Sequence, residues 1–489
     1  MRPARPAIQS TPATGADADR DALQALGYAK TFERSMSTWQ NFALGFTYLS
    51  PVCSVYSLFA FGVATGGPPM VWAYAIVGVG QLLVALVFGE IVSQYPIAGG
   101  LYPWASRLAG PRWAWMAGWI YAWALFTTLA AIAFGAGPFL SVLLGHAPTA
   151  LMTTLTALGL VLAATGVNLA GTRTLARVAM FGFICEIIGA LVVGIYLLLI
   201  QRHHSVAILV DDAGIGAGGH YLPAFLAASL VGTYTCYGFE ACGDVAEETR
   251  DPGVAIPKAM RMTIYVGASA SAFIAVALVL AVPDIAAVIS GRDTNPIITI
   301  MHTAFGPIGT PIVAAVVLIS FLSNLLSIQA AVSRLVYSYA RDRMIVGSHV
   351  LSRLSTKTHV PAPALALSGI IAGGIICVGY FTEDALATMA SYCTAGIYIS
   401  FQMVVAAALF AKSRGWTAQG RFTLGRAGPA VTVLALLYGV ATIANILWPR
   451  GAPGHWYTRF DILTTVIVVV ACGLMYMSVA ALHEKRSIS

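Results

Sequence analysis

Residues 230–249, LVGTYTCYGFEACGDVAEET, begin as an apolar helix and then break, with Gly238 followed almost at once by Glu240. Residues 41–61, NFALGFTYLSPVCSVYSLFAF, carry a similar fault, because Ser50, Pro51, Val52, Cys53 and Ser54 interrupt an apolar span at its middle. Proline lacks an N–H and frees the carbonyl four residues earlier. In hydrocarbon such groups must be satisfied by protein or must line a cavity where a ligand satisfies them. A simple proline kink would account for the first break alone. Two breaks, five apolar segments apart, instead describe an inverted-repeat transporter whose substrate sits near the midplane between half-helix ends. Half-helix N-termini attract a carboxylate and freed carbonyls attract an ammonium group, so a zwitterionic amine suits both.

The rest of the chain agrees with a membrane setting. Of 489 residues, 58% are hydrophobic and 10% charged, and the mean hydropathy is +0.79. A soluble domain carries about 25% charged residues, so a cytosolic enzyme is excluded. Twelve apolar stretches follow one another, near 39–64, 70–94, 113–144, 150–170, 178–200, 223–246, 258–282, 308–340, 362–380, 384–411, 430–448 and 461–481. Each is long enough to cross a bilayer. The predicted fold is an all-α integral membrane protein of twelve transmembrane helices, the first and sixth broken.

Threading the chain through twelve crossings sorts the basic residues. One side holds 23 of the 27 Lys and Arg; Arg202, Arg292, Arg450 and Arg459 lie on the other. By the positive-inside rule the rich side is cytoplasmic, both termini lie there, and the loop at 201–222 is external. Residues 1–35 read as a cytoplasmic tail with a short amphipathic end near Tyr28 to Phe32, and 483–489 as a C-terminal tail. No apolar run follows the early arginines, so the start is not a signal peptide.

Several patterns carry no chemistry. GIGAGG at 214–219 satisfies GxGxxG formally, yet no strand precedes it. The seven cysteines all fall in apolar segments and read as small core residues, and the His203–His204 pair lacks metal-site company. With no Walker A, HExxH or GxSxG pattern and no paired nucleophile and base, the expectation is a non-enzyme without cofactor or metal.

Five runs in register carry a family resemblance: YPIAGGLYPWASRLAG (95–110), GFEACGDVAEET (238–249) with DPGVAIPKAM (251–260), SRLVYSYARD (333–342), HVPAPAL (359–365) and FTLGRAG (422–428). Together they resemble the amino acid, polyamine and organocation transporter superfamily over residues 26–480. FTLG and NFALGFTYLSP are most similar to its amino acid and choline transporter branch, which includes permeases for 4-aminobutyrate and choline. The resemblance implies a five-plus-five inverted repeat, with a transport core over 36–411 and peripheral helices over 412–482. It puts the substrate at Val52, Cys53 and Ser54 of the first helix and at Cys236, Tyr237 and Gly238 of the sixth, beneath an aromatic gate at Tyr234. Where the wider superfamily has a glycine-rich GxG, this chain has Val, Cys and Ser.

Buried carboxylates cost about 2.5 kcal/mol or more at a helix centre and so point to function. Glu186 in the fifth segment and Glu240 after the sixth-helix break are the candidates for proton coupling, in that order. Glu90 reads as structural, within reach of Arg107 or Arg112. Arg334, Arg341 and Asp342 with Glu247 and Glu248 read as an inner gate or as a solvated rim. Trp119, Tyr121 and Trp123 read as interhelical packing. The expected function is proton-coupled (or sodium-coupled) secondary transport of an amino acid or related amine across the plasma membrane, by symport. A choline or polyamine carrier and a non-transporting sensor on the same fold are the alternatives. The bilayer and a small molecule are the expected partners, and nucleic acid is not.

Overall fold

The computed structural model describes residues 34–146, 149–382, 384–450 and 460–488, with side chains up to 479 in the last stretch. The tail with Tyr28 to Phe32 lies outside them, as do Arg459 and the side chains of Lys485 and Arg486. Among the described residues the regular structure is all helical, joined by turns and loops, with one isolated β-bridge, Met36 to Thr249. Among the described residues eleven helices are long and apolar enough to cross a membrane. The sixth expected span completes the twelve, but its pieces, Tyr221–Ala228, Leu230–Thr235 and Ala241–Asp244, are each too short to qualify.

We label the spans α1a (Thr38–Leu49), α1b (Pro51–Gly66), α2 (Trp72–Gln94), α3 (Pro111–Gly135), α4 (Ala150–Leu169), α5 (Thr172–Ile200), α6a (Tyr221–Thr235), α6b (Ala241–Asp244), α7 (Pro252–Ala281), α8 (Pro296–Arg341), α9 (Ala362–Gly379), α10 (Ala385–Ser413), α11 (Gly428–Leu447) and α12 (Asp461–Ile488). α1a starts on a capping box in which the Ser37 hydroxyl accepts from the Gln40 N–H and the Gln40 side chain accepts from the Ser37 N–H. It stops at Ser50, whose φ of 43° lies in the left-handed region. Pro51 then opens α1b at the one place in a helix where its missing N–H costs nothing.

α8 begins earlier than its apolar run suggests, at Pro296 rather than 308. Two helices meet at Gly306 (φ 63°), just ahead of Pro307. Residues Ile188–Val192 of α5 form a π-helical turn immediately after Glu186 and Ile187. Such turns widen a helix locally and recur at functional sites.

α1a lies against α5, α7 and α8, while α2 runs along α7 and α3 along α10. The outer surface is apolar: Leu199 is 76% exposed and Ile308 80%, as lipid-facing positions require. Cys377 and Cys472 are on that surface too, whereas the other five cysteines are buried as expected. The basic loops share one face. There the Gly99 N–H donates to the Asp244 carbonyl, Arg421 pairs with Asp251 at 2.6 Å, and the Trp416 indole donates to Tyr95. The loop at 201–222 belongs to the opposite face, where the His203 N–H reaches the Leu280 carbonyl and the Tyr221 hydroxyl reaches Gly66. Within it, GIGAGG is a series of turns gathered around the Asp212 carboxylate, which accepts from Gly214 and Gly216.

Candidate functional site

The two helix breaks face each other. Gly238 has a φ of 104°, and a Cβ built there would stand 2.7 Å from the Leu49 nitrogen and 3.0 Å from Tyr48 Cδ2. The unwound turn of the sixth span therefore lies directly on the last residues of α1a, and only glycine permits that approach.

At the start of α1b the donors are taken by the protein itself. Glu186, fully buried on α5, accepts from the Ser50 hydroxyl and from the Val52 N–H at 3.0 Å, with the Cys53 thiol 3.8 Å away. The Cys53 N–H goes to Ser50 Oγ at 3.1 Å, and the Ser54 hydroxyl to the Ser50 carbonyl at 2.6 Å. A carboxylate at the positive end of a sixteen-residue helix is favourably placed. The contact also satisfies the left-handed Ser50, whose strain is the kind that persists only where surroundings over-determine it. Tyr56, one turn on, donates to the Gly189 carbonyl of the π-helical turn at 3.1 Å.

On the sixth span, Glu240 accepts from the Gly238 N–H at 2.8 Å and from the Tyr121 hydroxyl at 3.2 Å. Tyr121 thus belongs to the site, whereas its neighbours pack as expected: Trp119 stacks on Trp115 and donates to the Val469 carbonyl of α12, and Trp123 meets Trp119 edge-on. Tyr234 and Tyr237 lie edge to face with centroids 6.0 Å apart, and Tyr48 meets Tyr237 in the same way. The Tyr237 hydroxyl is 3.7 Å from the Cys393 thiol of α10. The Tyr234 hydroxyl is buried without a hydrogen-bond partner. Cys236 is set apart, since its side chain packs with Val77 and Ala268 and lies 3.9 Å from the Tyr74 carbonyl, away from α1.

Three contributors were not legible in the sequence. Asn324 of α8 donates to the Tyr48 carbonyl at 2.8 Å, and Ser327 exchanges a 2.8 Å hydrogen bond with Thr47. Asp244, one helical turn past Glu240, is fully buried with both carboxylate oxygens unpartnered. The polar run SNLLS (323–327) inside an apolar helix was the available signal for the first two; Asp244 fell inside the sixth apolar stretch, 223–246, and was passed over there.

The basic face is sealed beneath this region. Arg334 is bidentate to Glu248 at 2.9 and 3.3 Å with both side chains 1% exposed, which excludes a solvated rim. Arg341 pairs with Glu247 at 2.9 Å, Glu247 accepts from the Ala98 N–H, and the Tyr102 hydroxyl donates to Asp342. Glu90 sits outside this lattice. Its partner is Lys412 at 2.6 Å, not Arg107 or Arg112, and it also accepts from the Leu424 N–H. It pins FTLG to α2 because a Lys far along the chain returns beside it. Removing one member of a buried pair strands the other charge, so Arg334→Met is expected to cost about 3–5 kcal/mol. A thermal melt in detergent will show the loss, and Glu248→Gln added to the same chain is expected to recover part of it.

The amino acid permease family profile matches residues 36–473, which takes in both breaks, the carboxylates and the sealed face. The chain belongs to the amino acid permease family. Among relatives of this permease, amino-acid permease BAT1 of Arabidopsis thaliana is 25% identical, the alignment covering 96% of this chain and 95% of the relative. Amino-acid permease 2 of Neurospora crassa is 23% identical over 91% of this chain and 85% of its own length. Thiamine transporter thi9 of Schizosaccharomyces pombe is 23% identical over 94% and 86%. The permease is a multi-pass membrane protein, and its relatives carry amino-acid permease and thiamine transporter names at similar distances.

Proposed function

We propose that this permease is a secondary active transporter that moves an amino acid or related amine across the plasma membrane by alternating access, in symport with protons. The observation that carries the reading is the contact between the two breaks at Gly238 and Leu49, each break bearing its own buried carboxylate. The substrate lies between Val52 to Ser54 and Tyr237 to Gly238, beneath Tyr234, with Cys236 contributing backbone only. Glu186 is the first proton carrier and Glu240 the second. The core of ten helices alternates, and α11 and α12 stand at its edge.

The sealed basic face supports a cytoplasmic gate in its closed state. On the opposite face a cleft of about 250 Å³, lined by Tyr56, Ser57, Phe134 and Thr294 among others, runs beside α1b. Purified protein in proteoliposomes, supplied with labelled amino acids and amines under an imposed pH gradient, tests the proposal. Accumulation above equilibrium supports it, and saturable binding without accumulation would make the protein a sensor.

Both termini are placed in the cytoplasm on the sorting of basic residues. A cysteine at Gly216, in a background lacking the native cysteines, is expected to react with an impermeant maleimide in intact cells. The background matters because Cys377 and Cys472 are exposed. Labelling only after permeabilisation would reverse the orientation.

A further inference from the structure

We infer that Asp244 carries the proton that this permease discharges into the cytoplasm, loaded from Glu240 and released when the basic face opens. The inference rests on the proton-coupled reading above and adds its step on the inner side. Asp244 ends α6b at 0% exposure, and neither of its carboxylate oxygens has a hydrogen-bond partner. An ionised carboxylate without donors is strongly disfavoured in such surroundings, and a protonated acid is far less so. The groups that face it are Glu240 of its own span, Tyr121 of α3 and Arg334 of α8. Tyr48 of α1a stands beside them, its hydroxyl also buried without a partner. Arg334 is committed to Glu248 through two hydrogen bonds and makes none to Asp244.

The neighbours supply a way in and a cover on the way out. The Tyr121 hydroxyl donates to Glu240 at 3.2 Å and interacts electrostatically with Asp244, so one hydroxyl joins two buried carboxyls. Once Glu240 is protonated that hydrogen bond reverses. The Glu240 O–H bond then breaks as its proton passes to the Tyr121 oxygen, while the proton of Tyr121 moves to Asp244. The tyrosine stays neutral, and the net change is one proton carried from Glu240 to Asp244. On the cytoplasmic side the loop 98–100 lies over the acid. The Gly99 N–H donates to the Asp244 carbonyl at 3.2 Å, and a Cβ at Gly100 would run into Asp244 Oδ1. A Cβ at Gly99 would stand 2.6 Å from the Cβ of Ser338, whose hydroxyl is buried without a partner. The Ala98 N–H is held by Glu247, the partner of Arg341, so the cover is fastened to the ion pairs that seal the basic face. When those pairs part, the loop lifts, water reaches the carboxyl, and Asp244 gives its proton to that water as a hydronium ion. Intramembrane acids of this kind are the groups from which proton relays are built.

Asp244→Asn tests this, because a carboxyl that only stays neutral is matched by its amide and a proton carrier is not. Infrared spectra of the purified protein register carboxyls that hold a proton. At neutral pH the wild type is expected to show an acid carbonyl band that the Asn variant lacks. Transport is read in oriented proteoliposomes, with labelled amino acids and 4-aminobutyrate as the probes and the pH set separately on each side. Net uptake by the wild type is expected to slow as the internal pH falls. In the variant that response is expected to vanish, and the ratio of gradient-driven uptake to exchange to fall about 100-fold, as when a positioned proton-transfer group is removed. Tyr121→Phe breaks the link to Glu240 and is expected to lower the same ratio, so it serves if the Asn variant does not fold. Identical infrared spectra, or variants with the wild-type ratio and internal-pH response, would overturn the inference and leave proton-coupled transport standing. Uptake by the wild type that ignores pH on both sides would overturn both.

Discussion

Gly238→Leu is expected to lower uptake by about 100-fold or more while the protein still purifies as a monodisperse, folded species. A side chain at this position meets backbone rather than a flexible neighbour, since its Cβ would lie 2.7 Å from the Leu49 nitrogen. Main chain held in a packed helix cannot withdraw by the several tenths of an ångström required. The φ of 104° adds a conformational cost of about 1–3 kcal/mol for a residue with a Cβ. Both penalties fall on the surface where the two interrupted spans touch and little elsewhere, so the loss concentrates in transport. Gly238→Ala is expected to lie between wild type and the Leu variant. Initial uptake rates, read beside size-exclusion profiles and melting temperatures, check the result. Unchanged apparent affinity in the Leu variant would move the substrate to another place.

Glu186→Gln is expected to retain binding and exchange yet lose accumulation driven by a pH gradient. Gln is isosteric, and the site can host it in one orientation. Its amide oxygen accepts from the Val52 N–H, which cannot turn, and its NH₂ donates to Ser50 Oγ, whose hydroxyl can rotate away. The fold at Ser50 is thereby kept. What Gln cannot do is bind and release a proton, so the step that would couple proton flow to the hold of α5 on α1b disappears. Counterflow of labelled against unlabelled substrate and gradient-driven uptake, measured on the same vesicles, separate the two properties. Full accumulation by the variant would pass the coupling to Glu240.

The fold was largely legible because its determinants are local. Long apolar runs mark spans wherever they occur, Pro51 and Gly238 break helices for reasons contained in the residues themselves, and the basic loops sort by alternation alone. The pairing of Arg334 and Arg341 with Glu247 and Glu248 was also within reach, as charges near span ends have few other partners. Contacts between distant segments were not. Nothing in FICEIIGALVV says that Glu186 will close on Ser50 and Val52, 136 and 134 residues away. Lys412 as the partner of Glu90, Tyr121 as a donor to Glu240 and the outward turn of Cys236 depend in the same way on how helices rotate about their axes. Hydropathy is nearly constant around such helices, so it carries no record of that rotation. The early start of α8 was hidden for a different reason, because Gly306 and Pro307 read as an end when they are an elbow between two helices.

The bridge between Met36 and Thr249 has a mechanical meaning. Met36 donates to the Glu248 carbonyl and accepts from the Arg250 N–H, both at 3.0 Å, while Asn41 donates to the Cys242 carbonyl and to the Thr249 hydroxyl, both at 2.9 Å. A Cβ at Gly45 would stand 2.5 Å from Cys242 Sγ, so the two half-helices are also seated against each other without slack. In the proposed transport cycle α1a and α6b would therefore swing as one lever with two pivots, at Ser50 and at Gly238. A lever of this kind would have a single degree of freedom: torque applied at either pivot would swing both arms, so neither would open while the other stayed shut.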